Sequence, residues 1–358
     1  DVASIITAGT TLGIEATEKG NIDVTGQLIT EGANAGKVSV KTKEGTITFH
    51  NNGTDDPTIK SGSEIDVEAT TGDIDVNDDI VSATSATLKT AQGHVSLTGN
   101  MTANNGNALI QAADSKTDPD DGNITVKGDV TASQAAKLTT DNGNIAVGET
   151  NAARNITAGT TATIETTTEG NIDVTGQIST GGVAGVTAGD VTVSTATGNI
   201  NLNSNNADDP VINSGAAANV KSTTAGDITV SDNITAAEEV LLDTQKGNVK
   251  IGTQSTANTV SAGTTATVQS HEGDITVFGT VTSATGTTVQ TLVNGGDVAV
   301  TGLVATTGTG TSAGDVTVKA TEGQVILTKS GSDPVITSGD DVLISASDAV
   351  DGEDNDGD

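Results

Sequence analysis

The side chains best suited to chemistry in this chain are carboxylates that occur in short runs. Hard cations prefer oxygen ligands, about six to eight of them for Ca²⁺. The spacing matches neither an EF-hand loop nor the Gly-Gly-x-Gly-x-Asp calcium repeat, so solvated acidity is the favoured interpretation and Ca²⁺ the one candidate cofactor. The candidate metal ligands are Asp118, Asp120 and Asp121 in one run and Asp351, Asp354, Asp356 and Asp358 in another.

Other residue types give little support to catalysis. Parallel β-helix enzymes that cleave polysaccharides need acidic pairs, or an acidic Ca²⁺ cluster beside a Lys or Arg base, and usually aromatic side chains that stack on sugar rings. The only aromatic residues, Phe49 and Phe278, fall on or beside strand motifs and are expected in the core. The single arginine, Arg154, is expected at a solvated corner. We therefore expect no catalytic residues and no enzyme activity, with a polysaccharide-active β-helix enzyme as an alternative.

The three histidines are not expected to form a common site. His50 follows a strand motif, His94 takes the place of Asn or Asp in a turn motif, and His271 lies at an acidic corner. A shared metal site would need at least two histidines at ligand spacing on one face. Their separation in the repeat therefore argues against a histidine-based metal centre.

A short motif, Gly-Asn/Asp-(Ile/Val)-x-(Val/Ile/Leu), must position all of these residues, because it recurs along the whole chain. Each copy indicates a tight turn, where positive φ costs glycine little, followed by a short strand whose two β-branched residues point the same way. Copies span residues 20–24, 72–76, 122–126, 170–174, 226–230, 273–277 and 314–318. The predicted core residues are Ile22, Val24, Ile74, Val76, Ile124, Val126, Ile172, Val174, Ile228, Val230, Ile275, Val277, Val316 and Val318.

The spacing of these motifs predicts the fold. Successive turn glycines lie about 21 to 29 residues apart, and two further short apolar segments separate them, so each coil should contain three short strands. We predict an all-β, right-handed parallel β-helix, or β-solenoid, of about 13–14 coils. Handedness rests on the preference for right-handed parallel crossovers. At about 4.8 Å per coil, such a rod would be on the order of 65 Å long.

Longer segments of the sequence are duplicated. The segment Ile6 to Thr11 returns as Ile156 to Thr161 and, with substitutions, as Val260 to Thr265. We predict one continuous solenoid over residues 1–358, built from blocks at about 1–100, 156–255 and 260–358, with intervening coils at 101–155. The two ends of the sequence look cut from a continuing solenoid, and uncapped solenoid ends expose unpaired backbone that favours stacking.

The net charge of -32, from 47 acidic and 15 basic residues, excludes several partners. A polyanion would be repelled, so neither nucleic acid nor an anionic membrane surface is expected as a partner. No apolar run approaches the roughly 18 residues of a membrane span, and the lack of cysteine excludes disulfides and thiolate metal sites. The charge is expected to keep a long rod soluble.

Taken together, the Gly-Asn/Asp-Ile-x-Val motifs, the Ile-Thr-Ala-Gly-Thr-Thr segments and the Gly-Gln-(Leu/Ile)-(Ile/Ser)-Thr strands resemble the shaft repeats of bacterial surface adhesins. These are the filamentous-hemagglutinin-like exoproteins and the autotransporter passenger domains. The resemblance covers nearly the whole chain. It implies a right-handed parallel β-helix that projects from the cell and adheres to surfaces or other cells.

We therefore expect a structural extracellular or cell-surface protein, either an adhesin shaft or the repeating subunit of an extracellular filament. The expected partners are copies of the same chain joined end to end, or neighbouring segments of a longer chain, together with a cell-surface or matrix receptor. A calcium-dependent matrix or biofilm scaffold is a second alternative, since cations could bridge acidic ends.

Overall fold

The fold is a β-solenoid of three parallel sheets, as seen in a computed structural model that describes residues 4–51, 53, 58–113, 122–203, 210–293, 296–309, 314–328 and 335–347. The chain contributes one strand to each sheet in turn, so strands three apart in the sequence pair side by side. Every pairing between these strands is parallel. This confirms the predicted all-β solenoid with three short strands per coil.

The first sheet contains 14 described strands. Most are only three residues long, because each corner follows closely. They are β1 (Ser4–Ala8), β4 (Gly26–Thr30), β7 (Ile59–Ser61), β10 (Ile80–Ser82), β13 (Met101–Ala103), β16 (Val130–Ala132), β19 (Ile156–Ala158), β22 (Ile178–Thr180), β25 (Ile212–Ser214), β28 (Ile234–Ala236), β31 (Thr259–Ala262), β34 (Thr280–Ser283), β37 (Leu303–Thr306) and β40 (Ile336–Thr337).

The second sheet also contains 14 described strands and has the longest ones. They are β2 (Leu12–Lys19), β5 (Val38–Glu44), β8 (Ile65–Thr71), β11 (Ala86–Thr90), β14 (Ala108–Ala112), β17 (Ala136–Asn142), β20 (Ala162–Glu169), β23 (Val191–Thr197), β26 (Ala218–Ala225), β29 (Val240–Lys246), β32 (Thr265–Glu272), β35 (Gly286–Thr291), β38 (Asp315–Thr321) and β41 (Val342–Ser347).

The third sheet contains 13 described strands and holds most of the recurring sequence motifs. They are β3 (Ile22–Val24), β6 (Ile47–Phe49), β9 (Ile74–Val76), β12 (Val95–Leu97), β15 (Ile124–Val126), β18 (Ile145–Val147), β21 (Ile172–Thr175), β24 (Ile200–Asn203), β27 (Ile228–Val230), β30 (Val249–Ile251), β33 (Ile275–Val277), β36 (Val298–Val300) and β39 (Val325–Leu327).

The core is a set of stacked apolar columns inside the three sheets. Alternate residues of each strand point inwards, as the two-residue period of a strand requires, and the inward residues of paired strands lie in register. The predicted core residues are buried, with one exception, Val24, which is half-buried in the first coil. Phe49 is buried as predicted, whereas Phe278 is only half-buried and has the Lys250 Nζ atom 5.8 Å from its ring centroid.

One copy of the motif lies in a different sheet from the other copies. Residues 314–318 spell the motif, but Val316 and Val318 lie in β38 and pair with β35 in the second sheet. The third-sheet strand of that coil is β39, which follows Gly323. Since every sheet requires apolar residues at alternate positions, the same short sequence pattern is compatible with strands of two different sheets in one coil.

Glycine is required at the turn before most third-sheet strands. From Gly45 to Gly273 the turn glycines have positive φ, and an added Cβ at Gly72 would overlap the carbonyl of Gly45 in the coil before. Buried hydroxyl groups complete this corner by donating hydrogen bonds to the turn carbonyls. Examples are Thr90 Oγ1 to Gly72 O at 2.8 Å and Thr244 Oγ1 to Gly226 O at 2.7 Å.

Candidate functional site

All seven predicted metal ligands, Asp118, Asp120, Asp121, Asp351, Asp354, Asp356 and Asp358, lie outside the described residues. The calcium hypothesis for those two runs therefore stays a prediction.

A different acidic cluster occurs among the described residues. Asp315, Asp340 and Asp341 each place a carboxylate oxygen within 4.8 Å of the others, and all three are exposed. The backbone N–H of Asp341 donates to Asp315 Oδ1 at 3.2 Å. Sequence analysis missed the cluster because 25 residues separate its parts. The pairing register of the strands would have revealed it, since Val316 pairs with Val342 and the aspartates that precede them therefore stack.

The Asn and Asp residues of the turn motif form a continuous hydrogen-bonded column. Positive φ in the motif belongs to its glycine, as predicted, because among the described residues only glycines and Glu322 have positive φ. The Asn or Asp that follows has a different role, since each Asx side chain accepts the backbone N–H of the next Asx in the column, at 2.7 to 3.2 Å. The column runs through Asp73, His94, Asn123, Asn144, Asn171, Asn199, Asp227, Asn248, Asp274, Asp297 and Gln324.

The histidines have separate local roles in the described structure. His94 Nδ1 accepts the N–H of Asn123 at 3.2 Å and so replaces an Asx oxygen in the column. His50 Nε2 lies 2.9 Å from Asp23 Oδ1. His271 Nε2 lies 3.4 Å from Asp243 Oδ1.

Opposite charges alternate along part of the second sheet. Glu15, Lys41, Glu68 and Lys89 are directly opposite one another in successive coils. Lys41 Nζ lies 2.8 Å from Glu68 Oε2 and 2.9 Å from Asp66 Oδ2. The hydrogen bonds that Lys41 donates to Glu68 and Asp66 raise the Lys41 pKa well above its ordinary value. Such cross-strand pairs each add roughly 0.2–1 kcal/mol, so they help align neighbouring coils.

The outward row of the first sheet is uncharged over eight consecutive coils. Its members are small polar residues on paired strands, which point away from the core. They are Thr102, Thr131, Thr157, Ser179, Asn213, Thr235, Ser261 and Thr282. In a chain with a net charge of -32, this row adds no charge repulsion to that face.

Asp75 points outwards from the third sheet, and the pKa of its carboxyl group is raised. Partial burial raises the pKa of its carboxyl group, the nearby Asp73 raises it further, and His94 opposes them. A carboxyl group whose pKa is raised on folding favours the folded state only where it is protonated, and this contribution is lost as pH rises through the raised pKa.

Replacing Asp75 by Asn is therefore expected to stabilise the protein at neutral pH, by less than about 1 kcal/mol because the site is largely solvated. The gain should disappear as pH falls below the ordinary aspartate range. Urea denaturation at several pH values measures this, with Thr125→Asn, in the same outward row, as the uncharged control. If Asp75→Asn gave an equally large gain in stability at acidic pH, the gain could not come from the raised pKa of Asp75.

Exposed apolar residues concentrate in the end coils of the described structure. Ile6 pairs with the buried Leu28 but is itself exposed. At the other end, Ile344 pairs with the buried Val318 and is 46% exposed. The remaining exposed large apolar residues in these coils are Ile5, Ile326, Leu327, Val342 and Leu343. The core columns therefore reach solvent at both end coils.

Arg154 differs from its predicted place as a solvated corner residue. The side chain is half-buried, and its Nε atom is shielded from solvent without a hydrogen-bond acceptor.

Comparison with protein-family models, curated proteins and solved structures finds no match for this chain. The likeness to adhesin shafts therefore still rests on the motifs alone. No helix in the described ranges is long and apolar enough to cross a membrane.

Proposed function

We propose that this protein is a rigid structural element outside the cell, either an adhesin shaft or the repeating subunit of an extracellular filament. The observation that carries the proposal is the unbroken stacking of coils, in which three parallel sheets continue through the described chain. Each coil is held to the next by backbone ladders, the Asx column and apolar columns. Bending the rod would strain all of these at once, so the architecture is suited to transmitting force and spanning distance.

The end coils support association with another copy of the chain. Among the described strands, β40 and β41 have no pairing partner on one side, and neither do β1 and β2 at the other end. Ile344 and Ile14 are end members of the same second-sheet column. We propose that β40 and β41 of one copy pair in parallel with β1 and β2 of the next. This joint would bury apolar side chains that otherwise contact water.

Electron microscopy of the purified chain tests this function. Filaments far longer than one chain, about 65 Å at the usual strand spacing, are expected for a filament subunit. Straight rods of one chain length would support the shaft instead. Flexible or irregular particles would overturn both. Labelling of intact cells with an antibody tests the extracellular location, and labelling only after permeabilisation would contradict it.

A pair of variants isolates the joint. Ile344→Glu places a carboxylate at the proposed interface and is expected to abolish filaments while leaving the rod folded, as checked by circular dichroism. Leu241→Glu is the matched control, because Leu241 points outwards from β29 in the middle of the second sheet. Filaments that survive Ile344→Glu would contradict end-to-end joining.

The calcium-dependent scaffold is favoured by one described feature, the cluster of Asp315, Asp340 and Asp341 in the last coils. Adding a chelator during microscopy tests it. Filaments that dissolve in chelator and return with Ca²⁺ would support a cation at the joint, whereas unchanged filaments would exclude that role. The polysaccharide-active enzyme stays the remaining alternative from the sequence.

A further inference from the structure

One corner of the solenoid carries a short hairpin that most of the described coils lack. It follows β18, beginning at Gly148, which has a φ of 72°. Glu149 and Ala152 exchange two backbone hydrogen bonds, at 3.0 and 2.9 Å. The chain then passes through Arg154 before entering β19. The hairpin therefore projects at the corner between the third and first sheets.

The hairpin borders an open pocket with two positively charged side chains. The cavity has a volume of about 230 Å³ and is lined by Thr98, Lys127, Glu149, Ala152 and Arg154. Lys127 Nζ lies 2.7 Å from Glu149 Oε1. The hydrogen bond and charge of Lys127 lower the pKa of Glu149, with a smaller effect from Arg154. With Glu149 ionised, the two cations leave the lining with one excess positive charge.

Arg154 is the feature that most needs explanation. It is the only arginine in a chain with 47 acidic residues. Its Nε–H is shielded from solvent and has no acceptor. Buried donors are normally paired, and leaving a charged one unpaired is unfavourable. The guanidinium group is a planar donor suited to carboxylate and sulfate oxygens.

A second hairpin in the same chain shows that the charges are not needed to form the loop. Gly252 follows β30 with a φ of 74°, and Thr253 and Thr256 exchange the same two backbone hydrogen bonds, at 2.8 and 3.3 Å. Asn258 takes the position of Arg154, since the next coil places Gly279 against it as Gly176 is placed against Arg154. Here Thr253 replaces Glu149. The hairpin backbone therefore forms without Glu149 or Arg154.

From these observations we propose that the pocket binds an oxyanion group, a carboxylate or a sulfate, held by Arg154 and Lys127. An incoming oxyanion would accept hydrogen bonds from the terminal Nη–H groups of Arg154, since Nε is shielded from solvent, and would compete with Glu149 for Lys127. The volume limits the ligand to a small anion or to one acidic unit of a larger molecule such as a polysaccharide. The site lies on the side of the rod, so the proposal does not depend on end-to-end joining.

The single arginine offers a direct assay. In an NMR spectrum of ¹⁵N-labelled protein, Arg154 gives the only arginine Nε–Hε signal. Sodium sulfate, galacturonate and tetragalacturonate are titrated at constant ionic strength, with sodium chloride and neutral galactose as controls. We expect a saturable shift with the three oxyanions and none with the controls. A shift that never saturates, or that chloride reproduces, would overturn the proposal.

Comparing tetragalacturonate with galacturonate shows whether the bound oxyanion comes from a polysaccharide or from a small molecule. Tighter binding of tetragalacturonate than of galacturonate supports the site as a contact for an acidic polysaccharide. Equal binding of both supports a site for the isolated oxyanion.

Two variants with opposite expected signs separate binding from a structural role. Lys127→Gln should weaken sulfate binding by about tenfold or more, the usual effect of losing a charge-assisted hydrogen bond. Glu149→Gln removes the competing carboxylate and should tighten binding. Lys137→Gln is the matched control, because Lys137 pairs with Glu165 in the second sheet at 3.3 Å, away from this pocket. If both pocket variants match the control, the proposal is wrong.

Discussion

Replacing Val174 by Asp is expected to lower the free energy of unfolding by about 3–5 kcal/mol, the usual cost of an unpaired buried charge. Val174 is fully buried in β21. Its neighbours in the same apolar column are Val147 in the coil before and Leu202 in the coil after. A carboxylate there would lie between these two apolar side chains, so it would have to stay charged without a partner, take up a proton or force the coil open. Urea denaturation followed by circular dichroism measures the loss.

The adjacent residue provides the control for that substitution. Asp173 points outwards, and its Oδ1 atom accepts a hydrogen bond from Asn201 Nδ2 at 2.7 Å. An asparagine at position 173 can still accept this bond through its own Oδ1. Asp173→Asn should therefore change stability by no more than about 0.5 kcal/mol, as is usual for surface substitutions. Similar losses for the two variants would show that the strand register is wrong.

The repeated motif was sufficient to predict the fold because its physical causes are local. Glycine at the turn and β-branched residues at alternate positions each satisfy a requirement within a few residues. Ile172 and Val174, for example, were correctly placed inside before any pairing was known. The same locality explains why residues 314–318 fit the motif although they lie in the second sheet. Short strands of different sheets face the same core, so their pattern of apolar residues does not identify the sheet to which they belong.

Contacts between coils were not predictable in the same way, because they depend on register and on loop length. Asp315 meets Asp340 only after the intervening chain has made a complete coil. The uncharged outward row from Thr102 to Thr282 is likewise visible only when the strands are aligned. Arg154 was misplaced for a related reason. It follows a hairpin in which Glu149 and Ala152 exchange backbone hydrogen bonds, and the three residues line one pocket.

The solenoid therefore leaves few positions free to encode binding. Inward positions must be apolar or small, turn positions must be glycine, and Asx positions must accept a hydrogen bond from the next coil. Outward residues such as Asp173 are less constrained, and hairpins between strands are less constrained still. This is why a charged pocket at a hairpin, and not a feature of the regular coils, carries the binding proposal.

Replacing Gly170 by Ala should be among the most harmful small changes in the chain, with an expected loss of about 3 kcal/mol. Gly170 has a φ of 143°, and an added Cβ would overlap the carbonyl oxygen of Gly143. The conformational penalty of roughly 1–2 kcal/mol adds to an overpacking cost of roughly 1–3 kcal/mol. The obstacle is backbone, so relief requires separating two coils and weakening their ladder. The shift of the urea denaturation midpoint measures this loss.

Two other glycines separate the backbone penalty from the steric one. Gly182 has a φ of 78° but open space around an added Cβ, so Gly182→Ala should cost only the conformational term. Gly13 lies in β2 with open space and no positive φ, so Gly13→Ala should be neutral or slightly stabilising. The predicted order of stability is Gly13→Ala, then Gly182→Ala, then Gly170→Ala. If Gly170→Ala were no worse than Gly182→Ala, close contact between coils could not be the reason for glycine in this column, and the conformation of the turn alone would explain it.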